Sequence, residues 1–280
     1  MKRFLVILSL IPVLAVSQPA ADRSDFDFAL YLLGSGLKDD AVTLMSRRRA
    51  DSDTLRFLKG YVHYSLRQLD SAISCFSTVD SDSPLYTESC FFGAVSAAHS
   101  GRYRLADTLL SPLCASTDPA VRNLLLFEQA GLGLLQRDLA RFDTCFARLD
   151  TDDYRLSVEA DSLRRIRGTL PLRSKSPLLA AGLSAVVPGL GKVYAGHLGE
   201  GLSSFLIVGS LMAATAENLY KAGWADWKTL LFGTLSAVFY IGNIYGSAVT
   251  VRVGIANRDN QTDAQILYHI HIPLRNSYRR

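Results

Sequence analysis

Apolar residues recur at helical spacing from Asp25 to about Leu149, in short runs broken by polar turns. That 3.6-residue period predicts a series of amphipathic helices. The pattern then changes. Residues 150–160 are charged, and 161–175 carry five basic residues against one acidic, with Gly168 and Pro171 as breaks; this reads as a capping helix running into a basic linker. Three uncharged stretches follow: Ser176–Gly191 (16 residues), Gly201–Ala216 (16) and Thr229–Val251 (23). A membrane span needs ~20 apolar residues. The third stretch meets that length, and the second does when extended through Leu198 and Leu219. Pro188-Gly189 interrupts the first, which reads as a half-span or re-entrant hairpin that other protein must cover.

Small residues suit close packing of these segments. Gly242 and Gly246 form GxxxG, and Gly209 and Ala213 form a second small-xxx-small pair. Tyr220, Trp224 and Trp227, flanked by Lys221 and Lys228, have the composition of a membrane interface. Asn243 is polar inside an apolar helix. The expected partner is the backbone freed at the Pro-Gly turn; the alternative is a headgroup or solvent near the helix end.

The N-terminus has the signature of a secretory signal peptide. Lys2 and Arg3 precede an apolar core, Phe4–Val16, and Ala15-Val16-Ser17 offers a cleavage site before Gln18. An uncleaved anchor is the alternative. No cysteine follows the core, which argues against a lipoprotein anchor. An exported chain meets an oxidising compartment, so Cys75, Cys90, Cys114 and Cys145 form one or two disulfides or remain buried thiols. Their wide spacing contains no CxxC.

The net charge of +4 averages unlike regions. Residues 22–160 hold 15 basic and 20 acidic side chains, while the basic excess lies beside the hydrophobic segments. That placement favours lipid headgroups over nucleic acid, which would want the basic surface on the folded domain itself.

Self-similarity near a period of 34 organises the helical region. Ala72 and Ala106 lie 34 residues apart, in the contexts Gly60…Ala72…Phe76…Val79…Pro84 and Ala94…Gly101…Ala106…Leu110…Leu113, with Pro119 closing. This resembles the tetratricopeptide repeat (TPR), whose small residues let two antiparallel helices approach closely. Ala29, Leu32, Gly36, Ala41 and Met45 fit a first unit, and Asn123–Leu149 a drifted fourth. An ordinary helical domain is the alternative. The resemblance implies that Phe57, Tyr61 and Tyr64 in one repeat, Phe91, Val95 and Ala98 in the next, and Phe26, Leu30 and Leu33 in the first, line a concave face. That face suits a helix or extended peptide, or else packs on a neighbouring helix.

A second resemblance covers residues 177–257. Pro188-Gly189-Leu190-Gly191-Lys192-Val193-Tyr194-Ala195-Gly196, then Gly201 and Gly242-Asn243-Ile244-Tyr245-Gly246, is similar to small bacterial membrane domains of unknown function. Physically, Pro188, Gly189 and Gly191 are expected to turn the chain and Tyr194 to anchor at the interface, with Gly242, Asn243 and Gly246 completing the packing of the domain.

Catalytic and metal patterns do not emerge. GLGKVYAG lacks the first Gly and the Ser or Thr of a phosphate loop, since Val186 and Val193 stand there. His269 and His271 alternate in Ile266–Ile272 and read as the exposed face of a short strand or tail. His63, His99 and His197 are isolated, and neither GxSxG nor HExxH occurs.

The expectation is therefore an all-α chain with signal peptide 1–17, TPR-like hairpin array 18–160, basic linker 161–176, transmembrane helical domain 177–257 and tail 258–280. Its function reads as a non-enzymatic, membrane-tethered scaffold or adaptor of the bacterial cell envelope, with the repeats on the periplasmic side. Protein partners and membrane lipid are expected; nucleic acid, small-molecule substrate, cofactor and metal are not. The alternative is an assembly subunit whose membrane helices associate through Gly242 and Gly246.

Overall fold

A computed structural model describes residues 27–29, 31–47, 52–170 and 174–278. The expected signal peptide of residues 1–17, and Phe26 and Leu30 of the first expected unit, lie outside them. Among the described residues every regular element is helical and there is no strand. The described residues divide into two compact units, those up to 163 with those from 267 onward, and those between 164 and 266.

In the first unit, α1 (Lys38–Arg47) is followed by three packed helix pairs. These are α2 (Asp53–Ser65) with α3 (Leu69–Phe76), α4 (Tyr86–His99) with α5 (Tyr103–Leu110), and α6 (Pro119–Leu135) with α7 (Leu139–Phe146). A 3-10 turn (Ser111–Ala115) links the second pair to the third. Ala29, Ala41, Ala72 and Ala106 are fully buried at the helix contacts. A Cβ on Gly60 would meet the Phe76 ring at 2.7 Å, so only glycine lets α2 approach α3 this closely.

Each pair turns in the same way. Gly36, Arg67, Gly101 and Arg137 all have positive φ (79°, 60°, 73° and 59°). The next residue donates its N–H back to a carbonyl five residues earlier, as in Leu37 to Leu32, Gln68 to His63, Arg102 to Ala97 and Asp138 to Gly133, at 2.8–2.9 Å. This helix-ending turn needs one left-handed residue. Nothing lies within 4 Å of a Cβ placed on Gly101, so Gly101→Ala isolates the backbone cost. It is expected to destabilise this unit by ~1–2 kcal/mol, measured by chemical denaturation of the full chain.

Polar links join successive pairs. Arg141 grips Asp107 with both terminal guanidinium nitrogens (2.9 and 2.5 Å), and Arg102 pairs with Asp70. Asn123 clamps the backbone of Asp150, donating to its carbonyl (3.1 Å) and accepting from its N–H (2.9 Å). Cys75, Cys90, Cys114 and Cys145 are all free thiols. Helix α8 (Ser157–Thr169) follows, buried through Ala160, Leu163 and Ile166.

The second unit contains α9 (Pro177–Val186), the short α10 (Leu190–Ala195), α11 (Leu198–Ala222) and most of α12 (Trp227–Tyr278). Helices α11 and α12 are long and apolar enough to cross a membrane. The 52-residue α12 runs far past the expected Thr229–Val251. The strand expected at Ile266–Ile272 is thus helical. Ile266, Ile270 and Leu274, four apart, are buried on one helical stripe, and that stripe outweighs the local alternation of His269 and His271.

Candidate functional site

The candidate face of the first unit is built on aromatic packing. Phe57, Tyr61 and Tyr64 recur along α2, and Phe92 of α4 meets all three, at 6.0, 5.4 and 5.6 Å between ring centroids in edge-to-face contacts. Phe76 adds its ring to Phe57 at 5.4 Å and to Phe92 at 5.9 Å. Offset and edge-on aromatic pairs are favourable beyond their buried area.

This arrangement corrects the expected lining. Phe57, Phe91 and Val95 are 0, 2 and 1 % exposed, so they belong to the interior between helix pairs and not to an open surface. A short array folds these side chains into its own contacts. Phe92, which joins the cluster, was masked in the sequence by its neighbour Phe91. Tyr61 is half-buried, and Tyr64 turns its hydroxyl outward to a partner within the chain.

That partner is the end of α12. The Tyr64 hydroxyl lies 2.7 Å from His271 Nδ1, and the two rings are 5.4 Å apart. His269 Nδ1 lies 2.5 Å from Glu159 Oε2 on α8. Both histidines, expected on an exposed face, are therefore engaged and partly buried. Burial, helped by His99, Arg275 and Arg67, pushes the His271 imidazole down to about 4. Burial also holds the Tyr64 phenol well above its usual range. Both groups are neutral near pH 7, and the imidazole tautomer sets whether the Tyr64 hydroxyl or His271 Nδ1 is the donor. His99 stands edge-on to Tyr64 and is bonded to the Val95 carbonyl (2.9 Å); burial lowers its pKa.

Beside this contact lies a cavity of about 220 Å³, walled by Phe91, Phe92, Leu124, Leu156, Pro273 and Leu274. Glu88 also borders it, and Glu88 Oε2 is buried with no hydrogen-bond partner. A wider surface cleft of about 930 Å³ lies near Arg122, Arg148 and Arg155. Two of its carboxylates are already engaged, Asp153 by Arg155 at 2.8 Å and Asp118 as the cap of Ala120 N–H at 2.8 Å. Among the described residues no group of three or more His, Cys, Asp or Glu is placed to hold a metal.

In the second unit the Pro188–Gly196 motif forms a tight corner. Pro188 follows the end of α9; Gly189 (φ 89°) and Gly196 (φ 105°) bracket α10 with left-handed turns. A Cβ on Gly189 would lie 2.0 Å from the Gly201 carbonyl oxygen, and one on Gly191 2.0 Å from that of Ala180. The backbones of α9, α10 and α11 thus touch where these glycines stand. The Tyr194 hydroxyl accepts the Ser176 N–H at 3.1 Å, and Lys175 donates to the Ala195 carbonyl at 2.9 Å.

Two packing expectations are corrected here. Nothing lies within 4 Å of a Cβ on Gly242, and Gly246 has only the Lys192 stem near it, at 4.0 Å. The close backbone approach is made by Gly189, Gly191 and Gly201, not by GxxxG. Asn243 is buried, yet neither amide atom has a hydrogen-bond partner. Ser184 takes the role expected of it. Ser184 Oγ accepts the Gly191 N–H (2.9 Å) and bonds Ser247 Oγ (2.7 Å), tying the turn to α12. Tyr240 reinforces the tie by donating to the Ala185 carbonyl (2.5 Å), and Lys192 Nζ donates to Ser204 Oγ (2.9 Å). No protein-family model, curated protein or solved structure matches this chain.

Proposed function

We propose that this chain is a non-enzymatic, membrane-tethered interaction protein of the bacterial cell envelope. Its first unit would be a TPR-like array presenting a protein-binding face, and its second unit the anchor, with α9 and α10 as the re-entrant segment beside two spans. The observation that carries the reading is the inverted polarity of the second unit. Only 11 and 17 % of the most apolar stretches of α11 and α12 are buried. Leu202, Leu206, Val238 and Ile241 are more than half exposed, whereas Ser184, Ser247, Asn243, Ser236 and Thr229 are buried. A soluble domain hides the first set and shows the second. A helix unit surrounded by lipid does the reverse, because exposed apolar patches of that extent mark a membrane or a partner.

The repeat reading is supported by the same left-handed turn at Gly36, Arg67, Gly101 and Arg137, spaced by 31, 34 and 36 residues. The periplasmic placement of the first unit rests on the signal-peptide reading.

Cys114 tests the anchor and the sidedness together. It is exposed, whereas Cys75, Cys90 and Cys145 are partly or fully buried, and burial raises their thiol pKa values and suppresses the reactive thiolate. The full chain is expected to stay in the membrane pellet at alkaline pH. A membrane-impermeant maleimide should label it on the outer face of spheroplasts, and Cys114→Ser should remove most of that label. Release from the pellet would dismiss the anchor; labelling only after lysis would place the first unit in the cytoplasm.

A further inference from the structure

The end of α12 lies on a helix-binding face but fits it incompletely. Ile270, Pro273 and Leu274 are buried against the first unit. Two side-chain bonds, Tyr64 with His271 and His269 with Glu159, fix its position. Under Pro273 and Leu274, however, the 220 Å³ cavity stays open between Phe91, Phe92 and Leu124. This half-open cavity leaves room for a larger side chain to gain contacts with its walls. At its edge Glu88 Oε2 is buried without a hydrogen-bond partner, and a buried polar atom without one is unfavourable. Desolvation accordingly raises the Glu88 pKa.

We infer that residues 267–276 are a resident, displaceable occupant of this face. The ligand it stands in for is a partner helix carrying a bulky apolar side chain at the Leu274 place and a basic residue that reaches Glu88. This rests on the interaction-protein reading above and supplies the chemistry of its partner. The filled cavity would favour an aromatic or Met side chain over Leu. The Glu88 carboxyl would ionise against Lys or Arg, a charge-assisted bond that His271 and Leu274 do not provide. Pro273 weakens the resident helix further, since it has no N–H for the preceding turn.

The test uses the full chain in detergent micelles and two fluorescent synthetic peptides. One has the sequence of residues 262–276; the other is the same peptide with Pro273→Lys and Leu274→Phe, the two positions that border the cavity together with Glu88. The substituted peptide is expected to bind about tenfold more tightly than the parent. Glu88→Gln in the full chain should remove most of that difference while leaving the parent peptide unchanged. Ile270→Asp, which dislodges the resident segment, should tighten both peptides by about tenfold. As a check in the unmodified chain, hydrogen exchange across residues 267–276 should quicken as the substituted peptide saturates.

Equal affinity of the two peptides, or saturation with the resident segment still protected, would overturn the inference. So would the absence of binding to both the wild-type chain and Ile270→Asp. None of those outcomes bears on membrane extraction or Cys114 labelling, so failure here leaves the anchoring reading separately decided.

Discussion

Replacing Gly191 with alanine is expected to break the packing of the C-terminal unit. The new Cβ would stand 2.0 Å from the Ala180 carbonyl oxygen and 2.6 Å from Ser184 Oγ. The nearer obstacle is helix backbone, which cannot rotate aside as a long side chain would. Relief requires α10 to move off α9. That movement breaks the Gly191 N–H to Ser184 bond and, through Ser184, the link to Ser247 on α12. Overpacking of a tight site costs ~1–3 kcal/mol, and a buried donor left unpaired costs a similar amount, so a loss of ~2–6 kcal/mol is expected. The two tryptophans, Trp224 and Trp227, both lie in the second unit. Their fluorescence during thermal melting of the full chain in detergent therefore reports on this unit. Gly209→Ala is the matched control, since nothing lies within 4 Å of its added Cβ; it should melt within a degree or so of wild type. A wild-type melt for Gly191→Ala would mean that α9 and α10 are not in this contact.

What could be read in advance follows from how local each signal is. The helical period and the extension of the second apolar stretch to Leu198 are properties of short windows, and they reappear in the structure; Gly36 and Gly101, read as small residues for close helix approach, instead make left-handed turns with open space around them. The importance of Gly189 and Gly191 was also legible in the motif, but what they touch was not. The Ala180 and Gly201 carbonyls are backbone atoms that leave no mark on residue identity. GxxxG misled because small residues permit close approach without requiring it. Asn243 drew attention as the polar residue of its segment, while Ser184 and Ser247, chemically quieter, carry the hydrogen bonds.

The end of α12 was the largest surprise. Arg258, Asp259, Asn260 and Gln261 look like the close of a hydrophobic segment. The seven residues from Ile266 to Ile272 satisfy a two-residue alternation as well as a four-residue one. Only a window reaching Leu274 separates the two periods. The docking of that segment on Tyr64 joins residues 207 apart in sequence, a separation that no local pattern encodes.

Glu128 yields the other large effect, through a charge the fold does not accommodate. It sits in α6, 34 residues after Ala94 and 68 after Gly60, so the register places a carboxyl where the preceding pairs have a small residue. It is 1 % exposed and its Oε1 has no hydrogen-bond partner. Burial pushes its pKa well above the usual carboxylate range. A raised carboxyl pKa means that the folded chain holds a proton which the unfolded chain releases. This contribution to stability is therefore complete below about pH 4.5 and is lost as pH rises toward the folded-state pKa. Glu128→Met removes the titration and keeps an unbranched side chain of similar length. It is expected to stabilise the first unit by ~1–3 kcal/mol at pH 8, with the advantage over wild type shrinking as pH falls toward 4.5. Glu128→Gln should show the same flat pH response but a smaller gain, because its amide inherits the missing partner. Amide exchange in α6 across that pH range measures both. A gain for Glu128→Met that does not vary with pH would mean that Glu128 is already neutralised by a partner in the folded chain. A loss at pH 8 would mean that the carboxyl is ionised and held there favourably. The buried Tyr64 bears on the same point, since Glu128 is one of the charges that raise its pKa. Removing the carboxyl should therefore bring the Tyr64 phenol down, and ultraviolet titration of the Glu128→Met chain at high pH would register that drop independently of any stability measurement.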